Sequence, residues 1–134
     1  MTNLLFVYGT LMKGHRDDWQ QKVGALLVGN GRIPGKLYRL GKFPGAVASA
    51  DSASHIRGEV YRLSDVDFAF RILDKYEEFD RSQPTKSLFV RKRIRVQMDD
   101  GTSTEAWVYV YNRSLKKASL IRSGRFKQKV SIRR

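Results

Sequence analysis

The sequence predicts an α+β domain built on a mostly antiparallel or mixed sheet, with a closed barrel as one form of that sheet. Six or so strand-like segments are separated by turns rich in glycine, proline and small polar residues, and two segments have helical spacing of apolar residues. The longer predicted helix lies about two-thirds of the way along the chain. The length of 134 residues is that of one domain.

The first half of the chain is predicted to contain a buried strand, a short helix and several further strands. Residues 4–8 form a short apolar run that Gly9 ends, which is typical of a central strand. Residues 10–14 are then predicted to form a loop. Trp19 and Val23 share one face of a predicted short helix. Further strands are predicted over residues 24–38, 43–47 and 56–63.

The strongest helical pattern covers residues 64–79. Ser64 and Asp67 have the N-cap and N3 spacing of a capping box. Apolar side chains then recur at helical spacing in two stripes: Val66, Phe70 and Leu73, and Phe68, Ile72 and Tyr76. We therefore expect this helix to pack against the sheet.

The last third of the chain contains the clearest pair of strands, joined by the hairpin turn Asp99-Asp100-Gly101. Arginines alternate with mostly apolar residues before the turn, at Arg91, Arg93 and Arg95. An aromatic stripe follows the turn, at Trp107, Tyr109 and Tyr111. Such a stripe beside arginines either stacks nucleic-acid bases or packs one face of the sheet against a helix or loop, and we favour packing.

The chain is strongly basic, with 26 Lys and Arg against 13 Asp and Glu and a formal net charge of +13. Such a charge suggests nucleic acid or an anionic surface as a partner. Residues 113–134 carry nine basic and no acidic residues, which leaves 17 basic and 13 acidic in residues 1–112. Because the charge is concentrated at the C-terminus, we expect any binding of nucleic acid to be non-specific.

Composition also excludes several classes of chemistry. The chain has no cysteine, so disulfides, thiolate catalysis and cysteine-ligated metals are excluded. The two histidines, His15 and His55, are predicted to lie at the surface and support no metal site. No apolar run approaches the ~20 residues of a membrane span, and the N-terminus lacks the pattern of a signal peptide. We therefore expect a cytoplasmic protein with no membrane association.

Glu77 is the first candidate for catalysis. At about 100° per residue, Glu77 continues the apolar stripe of Val66, Phe70 and Leu73. Its neighbour Glu78 instead aligns with a polar face of Asp67, Arg71 and Asp74. A carboxylate on an apolar face is desolvated, which raises its pKa toward that of a useful base. The alternative is that the helix ends before Glu77 and the side chain turns to solvent.

The loop Tyr8-Gly9-Thr10-Leu11 is the second candidate. A strand that ends in a glycine-containing loop presents backbone N–H groups to a carboxylate or to a developing oxyanion. The same pattern is also typical of an ordinary tight turn, and it lacks the spacing of a phosphate-binding loop. Glu59, inside a predicted strand, is interpreted as an outward-facing side chain.

Taken together and in order, these segments resemble the gamma-glutamylcyclotransferase-like (AIG2-like) family. The resemblance covers about residues 4–126 and rests on an ordered set of motifs. They are Val7-Tyr8-Gly9-Thr10-Leu11, Pro44-Gly45-Ala46, Gly58-Glu59-Val60-Tyr61, Leu73-Asp74-Lys75-Tyr76-Glu77, Phe89-Val90-Arg91, Ala106-Trp107-Val108-Tyr109-Val110-Tyr111 and Ile121-Arg122-Ser123-Gly124. Phe89 stands where many members have tyrosine, and Arg125 where relatives often have an acidic or polar residue.

The resemblance implies a small twisted barrel with flanking helices over residues 1–126. The basic tail at residues 127–134 is not part of the family pattern. It implies an enzyme that releases 5-oxoproline and an amine or amino acid from a γ-glutamyl amide. Glu77 would act as general base and acid, and Tyr8, Gly9, Thr10 and Leu11 would bind the γ-glutamyl group. Neither a metal nor a cofactor is required.

The resemblance leaves the leaving group and the oligomeric state open. Glutathione, γ-glutamyl amino acids, γ-glutamyl-lysine isopeptides and other γ-glutamylamines all fit the implied reaction. Two other functions stay open: a basic barrel that binds nucleic acid, and a catalytically silent relative that binds a small ligand.

Overall fold

The computed structural model describes residues 2–9, 19–41, 43–77 and 79–126. In these parts of the chain the predicted α+β class is confirmed. The elements in chain order are β1 (Leu4–Val7), α1 (Trp19–Val23), β2 (Ala25–Leu40), β3 (Phe43–Ala48), β4 (His55–Leu63), α2 (Val66–Tyr76), a 3-10 turn (Pro84–Lys86), β5 (Phe89–Met98), β6 (Ser103–Tyr111) and β7 (Ser119–Ile121).

Five of the strands close into a mixed barrel in the order β2-β4-β1-β6-β5. The circle closes where β5 pairs with β2, with Gly31 opposite Met98 and Arg32 opposite Gln97. β1 and β6 run parallel, and the other neighbours in the barrel are antiparallel. The second half of β2 extends beyond the barrel and pairs with β3 on one side and β7 on the other.

Alternation along the strands creates two apolar cores, one inside the barrel and one between the barrel and the helices. On β1, Phe6 points into the barrel, whereas Leu5 and Val7 point outward. The outer core also contains Trp19 and Val23 of α1 and the buried face of α2. Within the described residues, no helix is long and apolar enough to cross a membrane.

Helix α2 is shorter than predicted at both ends. Its N-cap is Asp65, whose side chain accepts the Phe68 N–H at 3.0 Å, so the predicted capping box at Ser64 is wrong. Ser64 still belongs to the strand end, because its N–H bonds to the carbonyl oxygen of Gly24 at 3.1 Å. At the other end Glu77 is the C-cap.

The aromatic stripe on β6 packs against α2, which confirms the packing interpretation of that pattern. The ring of Phe70 meets Trp107 and Tyr109 edge-on, with centroids 5.8 and 6.4 Å apart. The Arg91 guanidinium lies 3.9 Å above the centre of the Phe70 ring. On the opposite side of α2, Phe68 and Ile72 of the second predicted stripe are exposed.

Candidate active site

Tyr8 lies at the carboxyl end of β1 and joins three strands. The side chain is buried in the barrel core. Its phenol donates a hydrogen bond to the backbone carbonyl oxygen of Tyr109 at 2.6 Å and accepts the Ala46 N–H at 3.2 Å. The hydroxyl therefore ties β1 to β6 and β3 at the point where the Tyr8-Gly9 loop begins.

Gly9 packs against the predicted Pro44-Gly45-Ala46 segment. A Cβ atom added at Gly9 would overlap the Pro44 ring, and one at Gly45 would lie 3.0 Å from the Cβ of Tyr111. These two glycines allow backbone from β1, β3 and β6 to approach closely. Two motifs that are far apart in the sequence thus form one end of the barrel. Thr10, Leu11 and the rest of the predicted loop lie outside the described residues.

Glu77 is half-buried at the C-cap of α2. Its N–H still bonds to the carbonyl oxygen of Leu73 at 2.9 Å, so the helical hydrogen-bond pattern continues to this residue. The negative charge of Glu77 reaches the phenols of Tyr8 and Tyr109, since it contributes to the raised pKa of both. The structure thus brings together Glu77 and Tyr8. Glu78, the predicted outward-facing neighbour, lies outside the described residues.

The two phenols near Glu77 are held in their neutral form. Burial is the main cause that raises the pKa of Tyr8 far above its usual value, with the charge of Glu77 acting in the same direction. Burial also raises the pKa of Tyr109, followed by its hydrogen bond to the Asp74 carboxylate. Both hydroxyls therefore act as hydrogen-bond donors rather than as anions.

Asp74 is a buried member of the site that the sequence pattern missed. The prediction placed it on the polar face of the helix, and this is wrong: Asp74 is only 8% exposed. Its carboxylate accepts hydrogen bonds from Arg91 Nε at 2.7 Å, Arg91 Nη2 at 3.2 Å and the Tyr109 hydroxyl at 2.6 Å. The signal available in the sequence was an aspartate in the predicted helix together with arginines that alternate along a predicted strand. That the two lie close together depends on the fold.

The remaining candidates lie elsewhere. Glu59, on β4, is half-buried rather than simply outward-facing, and its Oε1 accepts a hydrogen bond from the Tyr61 hydroxyl at 3.0 Å. His55 is exposed at the start of β4, and His15 lies outside the described residues. In the part of the chain that the structure describes, no group of three or more His, Cys, Asp or Glu side chains is arranged to hold a metal ion.

Solved structures share this barrel. The solution NMR structure of protein ytfP from Escherichia coli matches with a TM-score of 0.64 and 31% identity, over 92% of this chain and 95% of that one. The crystal structure of YkqA from Bacillus subtilis matches with a TM-score of 0.68 and 26% identity, over 94% of this chain. This chain spans 40% of YkqA. The protein therefore belongs to the fold class expected from the motifs, which is a closed barrel with flanking helices.

A family model described as gamma-glutamyl cyclotransferase, AIG2-like, matches residues 5–128. Among curated relatives, the gamma-L-glutamyl-butirosin B gamma-glutamyl cyclotransferase of Niallia circulans is 34% identical over 110 residues, which cover 81% of this chain and 67% of the relative. The chain belongs to the gamma-glutamyl cyclotransferase, AIG2-like family, and it is an enzyme of the cyclotransferase type. The resemblance seen in the sequence is thereby confirmed.

Proposed function

We propose that this protein cleaves a γ-glutamyl amide by intramolecular cyclisation, with Glu77 as the general base and acid. The free α-amino nitrogen attacks the γ-carbonyl carbon, a five-membered ring closes, and the bond to the leaving nitrogen breaks. The products are 5-oxoproline and a free amine or amino acid. The observation that carries the proposal is that Glu77 lies within electrostatic reach of Tyr8, although the two residues are more than 60 positions apart in the sequence.

Glu77 is suited to moving the two protons of this reaction. It takes one proton from the α-amino group as the ring forms and returns one to the leaving nitrogen as the amide bond breaks. A half-buried carboxylate beside neutral phenols is less well solvated than a surface carboxylate, which favours proton transfer. General acid–base catalysis of this kind typically contributes ~10²–10⁴ in rate.

The loop Tyr8-Gly9-Thr10-Leu11 would hold the γ-glutamyl group. Backbone N–H groups at the end of a buried strand are fixed in direction, so they stabilise a developing oxyanion without reorganisation. The Tyr8 hydroxyl donates to the Tyr109 carbonyl, so its contribution is to fix the start of the loop rather than to bind the substrate.

Proximity supplies much of the remaining rate enhancement. The nucleophile and the electrophile belong to one substrate molecule, and well-oriented intramolecular reactions reach effective molarities of about 10⁵–10⁸ M. The enzyme therefore needs to hold one conformation of the γ-glutamyl group and move two protons. The geometry of the site does not identify the leaving amine, and gamma-L-glutamyl-butirosin B, the compound in the name of the Niallia circulans relative, joins the candidate substrates.

The test is a panel of γ-glutamyl substrates with 5-oxoproline detected by mass spectrometry. Glutathione, γ-glutamyl amino acids, γ-glutamyl-lysine and γ-glutamylamines would be compared with the wild-type protein. On any substrate that is turned over, Glu77→Gln should lose activity by about 10²-fold or more while it keeps the fold. Glu78→Gln, a matched neutralisation one residue away, should remain active.

Three results would contradict the proposal. Near-wild-type turnover by Glu77→Gln, or loss of turnover in Glu78→Gln alone, would show that Glu77 is not the general base. Tight binding of a γ-glutamyl ligand with no product across the panel would favour a catalytically silent relative.

A further inference from the structure

Three secondary-structure elements meet at the carboxylate of Asp74. Arg91 on β5 and Tyr109 on β6 are directly opposite each other in the antiparallel pair, and both side chains point to α2. Asp74 accepts two hydrogen bonds from the guanidinium and one from the phenol, at 2.7, 3.2 and 2.6 Å. This bidentate geometry is specific to arginine and fixes both partners. We call Asp74, Arg91 and Tyr109 the Asp74 clamp.

Arg91 is enclosed by the protein rather than available to a ligand. Its side chain is 9% exposed. The guanidinium lies 3.9 Å from the ring centre of Phe70, 5.2 Å from that of Trp107 and 5.3 Å from that of Phe79. Aromatic rings surround the Arg91 guanidinium, and the Asp74 carboxylate pairs with it in a bidentate manner. The guanidinium therefore does not bind a substrate carboxylate.

The Asp74 clamp is connected to Glu77 through the backbone of the last helical turn. Glu77 follows Asp74 by three residues, on the same turn of α2. The carbonyl oxygen of Asp74 accepts the Phe79 N–H at 2.8 Å, a hydrogen bond that spans Glu77. Asp74 thus bonds to the barrel strands through its carboxylate and to the turn around Glu77 through its backbone carbonyl.

The Asp74 clamp is also connected to Tyr8, through Tyr109. The phenol of Tyr109 bonds to Asp74, and the backbone carbonyl of the same residue accepts the Tyr8 hydroxyl at 2.6 Å. A displacement of Tyr109 therefore moves the start of the proposed binding loop, and a displacement of Asp74 moves the turn that carries Glu77. Asp74 and Tyr109 thus connect the turn that carries Glu77 to Tyr8.

We propose that the Asp74 clamp is a positioning device that fixes the turn carrying Glu77 relative to Tyr8 at the end of β1, and that Arg91 acts through Asp74 rather than on the substrate. The inference rests on the proposed function, in which Glu77 transfers the protons. Its members are positioning residues, because the Asp74 carboxylate is bonded to Arg91 and Tyr109 and the Arg91 guanidinium is enclosed by protein.

The clamp also sets the charge around Glu77. Among the described residues, the charge of Glu77 reaches the phenols of Tyr8 and Tyr109, and the charges of Asp74 and Arg91 reach the phenol of Tyr109. The two phenols are neutral, and the charges of Asp74 and Arg91 offset each other. Neutralising Asp74 alone leaves an unbalanced cation, which stabilises the ionised form of Glu77. The acidic limb of the rate profile then moves to lower pH.

Three variants separate position from charge. Asp74→Asn changes both, Arg91→Lys keeps the charge but loses the bidentate geometry, and Tyr109→Phe removes one hydrogen bond to the Asp74 carboxylate without changing a charge. Arg93→Lys is the matched control, since Arg93 lies on the same strand but is half exposed, with a long 3.9 Å contact to Glu105 and its guanidinium 5.8 Å from the ring centre of Trp107. Each is measured for kcat, KM and pH dependence on a substrate found with the panel, and for folding by circular dichroism.

We expect kcat to fall by about 10²-fold in Asp74→Asn, as for a misplaced catalytic group, with KM changed by less than about twofold. Arg91→Lys and Tyr109→Phe should also lower kcat, but with the acidic limb unmoved. Arg93→Lys should match the wild type. If Asp74→Asn does not fold, Tyr109→Phe and Arg91→Lys decide the question, because they retain the charges of the pair.

Two kinetic outcomes would overturn the inference. Variants that fold and keep the wild-type kcat and pH profile would show that the clamp supports only the fold. A raised KM with unchanged kcat in Arg91→Lys would show that Arg91 binds the substrate.

Failure of the proposed function gives a different result. In that case the Glu77→Gln variant retains turnover, or the panel yields no product. The titration of the Glu77 side chain, followed by carbon NMR in the wild type, Asp74→Asn and Arg93→Lys, then tests the clamp without activity. A midpoint that moves to lower pH only in Asp74→Asn supports the clamp, and an unmoved midpoint overturns it.

Discussion

The hydroxyl of Tyr8 donates a 2.6 Å hydrogen bond to the backbone carbonyl oxygen of Tyr109, which lies 101 residues later in the chain. β1 and β6 run parallel here, so their ends reach the same side of the barrel. The Tyr8 hydroxyl at the end of β1 thus satisfies the hydrogen-bonding capacity of a backbone carbonyl on β6, near the helix turn that carries Glu77. Several of the expected properties of the protein depend on this contact.

Replacing Tyr8 by phenylalanine should destabilise the protein. The substitution leaves the buried carbonyl of Tyr109 and the N–H of Ala46 without this partner, which typically costs about 1–3 kcal/mol. Urea denaturation measures the free energy of unfolding. Tyr38→Phe, on β2, removes a hydroxyl from a half-buried side chain and serves as the control. Equal stability of the two variants would contradict the structural role of the Tyr8 hydroxyl.

Stability should fall at alkaline pH because of Tyr8 and Tyr109. Burial raises the pKa of both phenols above the usual value of 10.0. Above pH 10 the unfolded chain therefore binds fewer protons than the folded one, and the free energy of unfolding decreases as pH rises. The stabilisation is complete below about pH 10. Thermal unfolding combined with tyrosinate absorbance tests this, and ionisation of all six tyrosines before unfolding would argue against it.

Gly9→Ala should lower both activity and stability. The added Cβ would overlap the Pro44 ring, which is rigid and cannot turn away like a flexible side chain. The loop that follows β1 must then shift away from β3. In the control, Gly29→Ala, the new Cβ would meet only the flexible end of Met98 at 3.4 Å. The prediction fails if both variants show the same melting temperature and turnover.

Deleting residues 127–134 should leave the fold and the turnover intact. Phe126, the residue before the cut, is 2% exposed in the barrel core and is retained. Phe126→Ala in the full-length chain should by contrast cost about 3–5 kcal/mol, because a large buried side chain is lost. Circular dichroism and the 5-oxoproline assay compare the two variants. Loss of folded protein on deletion of 127–134 would show that the domain extends beyond residue 126.

Binding to nucleic acid should be weak, sensitive to salt and independent of sequence. The aromatic side chains Trp107 and Tyr109 pack against Phe70, so their faces are not arranged as a platform for bases. What remains is attraction between phosphates and basic side chains, which falls steeply with salt concentration. Fluorescence anisotropy with two unrelated oligonucleotides at low and high salt measures it. Tight binding that survives high salt and distinguishes the two sequences would contradict this expectation.

The sequence by itself determined the elements whose causes are local. The hairpin of β5 and β6 was predicted with its turn and its faces, because alternation with period two and the Asp-Gly turn act between near neighbours. Gly101 has a φ of 93°, which that turn requires. The ordered set of motifs was sufficient to identify the family, because each motif reflects a local requirement of the same fold.

The tertiary structure alone decided where the distant partners meet. A helical wheel treats Asp74 as a surface residue, because it contains no information about an arginine 17 residues later or a tyrosine 35 residues later. The closure of the barrel through Gly31 and Met98, and the approach of Tyr8 to Tyr109, are likewise contacts between segments far apart in the chain. Burying a carboxylate is favourable only when its charge is paired and its hydrogen bonds are satisfied, and only the folded barrel assembles those partners.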